Sequence, residues 1–150
     1  MAPRHRLCYP TGMDYAMSDT IIGVLRDKAP VAFAYLVGSQ ARDRTMPMSD
    51  VDVAVYFSRP NNKLTGLASG LSIDLQTALK RSDVDVIELN RAGIPILASI
   101  MKYAKPLVIR NVDAEKDFKR RTYQKIVDFQ PTLELIGQRT IRNIREGAKA

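Results

Sequence analysis

The chain has 150 residues, 45% of them hydrophobic and 26% charged, with a formal net charge of +7. That balance fits one soluble globular domain spanning 1–150, with an apolar core of its own. It holds one cysteine, Cys8, and one histidine, His5, which excludes an internal disulfide or cysteine-based zinc site and argues against histidine-centred catalysis.

No run reaches the roughly eighteen apolar residues of a membrane-spanning helix, and the first seventeen residues lack the apolar core of a signal peptide. A cytoplasmic protein is expected. Nine basic and seven acidic residues fall at or before Lys80, five and three from Arg81 to Val112, and nine and six beyond it. The positive excess is therefore spread out, suited to a diffuse attraction for a nucleotide, an RNA or an acidic partner surface. With no RNA-recognition motif, zinc finger or interleaved aromatic stripe, direct nucleic-acid binding is not expected.

Residues 1–16 read as an irregular N-terminal segment. Ser18-Asp19 supplies N-cap residue types for a helix that carries Ile21, Ile22, Leu25 and Ala29 on one side and stops at Pro30. Ala32 to Val37 is an apolar run rich in β-formers, long enough for a buried strand and too short for most helices. It ends at Gly38-Ser39, where glycine permits a sharp turn with close backbone approach and serine adds a hydroxyl able to bond a phosphate oxygen.

Asp50 and Asp52 open the next strand-forming stretch, Asp-Val-Asp-Val-Ala-Val-Tyr-Phe. At i and i+2 in a strand they point to one face, and two such carboxylates repel unless a cation lies between them. Oxygen-only ligands suit Mg²⁺, which binds one or two carboxylates and completes its shell with water and substrate phosphates. For an isolated Asp-x-Asp the preferred reading is a turn cap, Asp50, followed by a solvated edge-strand residue, Asp52. The Gly-Ser turn upstream and the buried side formed by Val51, Val53 and Val55 favour the metal reading.

After a loop at residues 59–62, apolar residues recur at helical spacing from Lys63 to Arg81, with Gly66 and Gly70 weakening the first turns. Ser82 to Leu89 alternates acid and apolar residues as a third strand. Asp83 lies at its mouth beside Arg81, whereas Asp85 is held between Val84 and Val86, so Asp85 is the better third acid. Glu88 falls on the opposite face, solvated or paired. Ile94 to Ala104 shows a helical pattern in Ile96, Leu97, Ile100 and Met101, and Leu107 to Ile109 forms a fourth short strand. Asp113 caps a further helix, a break falls at Gln130-Pro131, and a last helix packs through Leu133, Ile136, Thr140 and Ile144. The C-terminal helices thus occupy 113–147.

Gly38-Ser39, ten residues, then Asp50-Val51-Asp52 resembles the signature of the polymerase-β-type nucleotidyltransferases, in particular the minimal nucleotidyltransferase (MNT) antitoxins paired with HEPN toxins. The resemblance covers most of the chain. Ser39-Gln40-Ala41-Arg42 fits that family's turn, while the glycine common at the next position is Asp43 here. The resemblance implies an α/β nucleotidyltransferase fold, a mixed sheet flanked by helices. It also implies catalytic and metal-binding roles for Asp50, Asp52 and Asp85, with Gly38, Ser39 and Arg42 around the phosphates, Mg²⁺ as cofactor and ATP as substrate. Members of this antitoxin group transfer AMP to a tyrosine of the partner HEPN ribonuclease toxin and silence it. A small-molecule nucleotidyltransferase acting on an aminoglycoside, and an antitoxin that only masks its toxin, remain the alternatives.

Overall fold

The computed structural model describes residues 6–10, 13–38, 50–59 and 61–147. Its elements run β1 (Arg6–Leu7), α1 (Tyr15–Asp27), β2 (Val31–Val37), β3 (Val51–Phe57), α2 (Leu67–Leu79), β4 (Val84–Glu88), α3 (Ile94–Tyr103), β5 (Lys105–Ile109) and α4 (Val112–Gly147). The strands form one sheet in the order β1-β5-β2-β3-β4. It is mixed: β3 and β4 run parallel, and the other neighbouring pairs are antiparallel.

Period-two alternation sends the two sides of each strand into separate apolar layers. Val51, Val53 and Val55 join Leu36 and Val84 against α1 and α2, where Ile21, Leu25, Leu71 and Leu75 close the layer. Phe33, Tyr35, Val37 and Ala54 face the other way, with Leu97 and Ile100 of α3 and Phe118 of α4. All seven residues of β2 are buried, as its near-continuous apolar run requires. The β2–β3 register shifts between Val31 and Phe33, which lets the adjacent Ala32 and Phe33 enter the same layer.

Side chains fix both ends of the β3–β4 pair. Ser72 Oγ and Gln76 Nε2 of α2 donate to the Val84 carbonyl at 3.1 and 2.9 Å, where β4 begins. Asn90 closes the other end, accepting from the Phe57 N–H at 2.8 Å and donating to its carbonyl at 2.9 Å.

Several boundaries differ from those expected. Helix α1 starts earlier: Asp14 is the N-cap, its carboxylate accepting from the Ala16 N–H at 3.4 Å, and Ser18 is buried within the helix. Gly66 sits at φ 81° as the N-cap of α2, so only Gly70 lies inside that helix. The N-terminal segment is not wholly irregular. Arg6 and Leu7 pair with Ile109 and Val108 of β5, and the Cys8 N–H donates to the Leu107 carbonyl at 2.9 Å. Two residues show no periodicity, so this edge strand is specified by its partner.

The largest departure is α4. Asn111, not Asp113, caps it, accepting from the Ala114 N–H at 2.9 Å. The helix then continues through Pro131 for 36 residues, roughly 54 Å at 1.5 Å per residue. Proline removes the bond to the carbonyl four residues back, that of Val127. Val127 is 67% exposed, so that carbonyl can bond water instead. The apolar residues expected to pack are solvated too: Ile136 is 49% and Ile144 67% exposed.

Candidate nucleotidyl-transfer site

The end of β2 and the starts of β3 and β4 meet at one end of the sheet. Val37 lies opposite Asp52 across the antiparallel pair, and Asp52 lies opposite Asp85 across the parallel pair. Residues in register share a face, but Asp85, on the edge strand, also borders a cavity lined by Ser69, Ser72 and Ile73 of α2. Asp50 stands immediately before β3 and is exposed. The sequence rule that aligned Asp50 with Asp52 is local; the register that aligns Asp52 with Asp85 depends on residues more than thirty positions apart.

Gly38 is the closest backbone approach in this cluster. Its φ is 75°, in the left-handed region, and a Cβ built there would lie 2.6 Å from Asp52 Oδ2. Any larger residue would drive the carboxylate out of its position. Asp52 is half-buried, and its pKa is pushed up first by burial and then by the neighbouring Asp85 and Asp50 carboxylates. A bound cation would relieve both repulsions.

Asp83 and Asp85 have different partners. The Arg81 guanidinium grips Asp83 in a two-pronged bond, Nε to Oδ1 at 2.7 Å and Nη2 to Oδ2 at 2.6 Å, and holds that carboxyl below the ordinary carboxylate range. The Asp83 carbonyl also accepts from the Val51 N–H at 2.9 Å, tying this pair to the start of β3. Asp85 is exposed, with Oδ1 accepting from the Val86 N–H at 2.9 Å. Glu88 is paired with Arg91 at 2.8 Å, one of the two outcomes expected for it.

Among the described residues, no group of three Asp, Glu, His or Cys side chains converges tightly enough to hold a metal ion. Asp85 and Asp50 are the two carboxylates whose charges act on Asp52, and an all-oxygen donor set is the kind Mg²⁺ takes. Ser39, Arg42 and Asp43 lie outside the described residues.

Sequence reasoning missed the wall contributed by α3. A cavity of ≈370 Å³ opens beside Gly38 and Asp52, lined on its other side by Ile96, Ser99 and Tyr103. Ile96 is not in the buried layer that holds Leu97 and Ile100; it is 48% exposed and lines this cavity. The available signal was the spacing of 96, 99 and 103, which share a helix face beside the apolar stripe.

A glycine-ended strand paired to an acid-bearing strand, with a parallel neighbour supplying a further acid, is the frame of a nucleotidyltransferase fold. The family described as "Polymerase beta, Nucleotidyltransferase" matches residues 19–113, more than half of the chain. The chain belongs to that family. No curated protein matches it. Among solved structures, a toxin-antitoxin complex with AMP-PNP is similar at 23% identity and a TM-score of 0.68, covering 83% of this chain and 98% of that one. The tri-AMPylated HEPN toxin of Shewanella oneidensis in complex with MNT antitoxin gives 23% identity and a TM-score of 0.66, covering 86% and 99%. A MntA-HepT toxin-antitoxin structure gives 22% identity and a TM-score of 0.65, covering 85% and 99%. At these identities the likeness is one of fold.

Proposed function

We propose that residues 1–150 form one nucleotidyltransferase domain that works in the cytoplasm as the antitoxin of a HEPN/MNT pair. It transfers AMP from ATP to a tyrosine of its partner HEPN ribonuclease toxin and so neutralises it. The observation that carries this reading is the alignment of Val37, Asp52 and Asp85 across three neighbouring strands, with Gly38, just past Val37, directly against the Asp52 carboxylate. The family match supports the transfer chemistry, and the fold shared with toxin-antitoxin complexes supports the protein acceptor.

In this reading Asp50, Asp52 and Asp85 form the acidic set, and Asp50 and Asp52 hold Mg²⁺. The ion, when bound, neutralises charge on the α-phosphate and on the leaving pyrophosphate. Gly38 lets the phosphate chain approach the backbone, and Ser39 and Arg42 are assigned to its β- and γ-oxygens from the sequence. Asp85, whose Oδ1 now accepts from the Val86 N–H, would be the residue to hold a second ion or to take the proton of the attacking hydroxyl. The bond formed joins the tyrosine oxygen to the α-phosphorus; the bond broken frees pyrophosphate.

The test is the fate of α-labelled ATP incubated with the protein, Mg²⁺ and the toxin encoded beside it. Label on the toxin, with loss of ribonuclease activity, is the expected result. Label on an aminoglycoside would make the protein a small-molecule nucleotidyltransferase. Silencing without label would make it an antitoxin that acts by masking.

A further inference from the structure

We propose that the cavity between the sheet and α3 is the nucleoside site, with Ser99 and Tyr103 as the residues that hold the base and sugar. The inference rests on the nucleotidyl-transfer reading and adds to it the part of the nucleotide that the acidic cluster cannot bind. Gly38 and Asp52 line one edge of this cavity, so phosphates held there would lead directly into it. Its ≈370 Å³ lies in the range of small-molecule pockets, about 300–1,000 Å³.

The lining matches a nucleoside better than more phosphate. Away from Asp52 the walls include Val37, Ile87, Ile96 and Ile100, and among the described residues no Lys or Arg side chain lines them. These apolar walls suit the two faces of a base, and a described cation, the Lys102 ammonium, lies over the Tyr103 ring at 5.1 Å from its centroid. Tyr103, 40% exposed at the C-terminal end of α3, offers a ring for stacking, and the Ser99 and Tyr103 hydroxyls can bond polar edges. Large apolar side chains left open beside a polar cluster mark a binding surface, and Ile96 and Tyr103 are both of this kind.

Calorimetry separates the nucleoside from the phosphates by comparing Mg·ATP with Mg·tripolyphosphate. Ser99→Trp fills the cavity from an exposed helix position, and Tyr103→Ala removes the stacking ring. Each should raise the Kd for ATP roughly tenfold, within the range of base–aromatic stacking losses, and leave the Kd for tripolyphosphate within about twofold. Unchanged tripolyphosphate binding also shows that the variants are folded. An unchanged ATP affinity with a raised KM for the toxin would overturn the proposal and give the cavity to the acceptor. Equal losses for both ligands would overturn it as well, since the wall would then act on the phosphate site. If the unmodified protein binds neither ligand, the nucleotidyl-transfer reading fails, and this inference with it.

Discussion

Gly38→Ala is the sharpest structural perturbation of the site. The substitution places a methyl group 2.6 Å from Asp52 Oδ2 at a residue whose φ is 75°. Holding a non-glycine residue in the left-handed region costs roughly 1–2 kcal/mol. Forcing the Asp52 side chain from its rotamer adds about 0.5–1.5 kcal/mol. The sum, about 1.5–3.5 kcal/mol, should appear as lost stability in urea denaturation, together with loss of adenylyl transfer. The two contributions separate in a double-mutant cycle, because Asp52→Ala removes the atom that the new methyl meets. In that background Gly38→Ala should cost only the backbone part, leaving a coupling of about 1 kcal/mol. Equal costs in both backgrounds would refute the close approach of Gly38 to the Asp52 carboxylate.

Asp52 has a raised pKa in the fold, so its charged form is disfavoured there: the metal-free protein should lose stability as pH rises from the ordinary carboxylate range through the raised value. Thermal melts across that window should show a shallower fall for Asp52→Asn, and parallel curves for the two proteins would contradict the burial of this charge. Tyr35 is buried and donates to Oε1 of the buried Glu115 at 2.5 Å, while Lys119 pairs with the same oxygen at 3.0 Å. Tyr35→Phe should therefore cost about 1.5–3 kcal/mol in denaturation, the value of a hydrogen bond to a charged group, and a loss under about 0.5 would remove that network from the stability of the fold. Pro131→Ala restores a backbone bond in the solvated half of α4 and should raise far-UV helicity without moving the denaturation midpoint of the core. A shifted midpoint would mean that this half of the helix is coupled to the sheet.

The parts of the fold that could be read from the sequence are those whose signal is local. The apolar run of β2 and the alternation of β3 are buried as their patterns require, and Asp83, at the mouth of its strand beside Arg81, forms an ion pair with it. The pairing of Asp52 with Asp85 was less legible, because register depends on α2 and on the side chains of Ser72 and Gln76 at the start of β4. The strand at Arg6–Leu7 was invisible for the same reason. At Pro131 a strong local rule gave way, since a solvated helix can leave a carbonyl to water where a buried one cannot. The α3 wall escaped because helical periodicity separates apolar from polar residues, and Ile96 is apolar yet lines an open cavity.

The most direct test of the proposed activity is the intact mass of the proposed HEPN toxin partner after incubation with ATP, Mg²⁺ and either this protein or its Asp50→Asn, Asp52→Asn variant. The unmodified protein should raise the toxin's mass in steps of one AMP, and the variant, still folded by circular dichroism, should leave it unchanged. A folded variant that adds AMP as fast as the original would remove these two carboxylates from the chemistry.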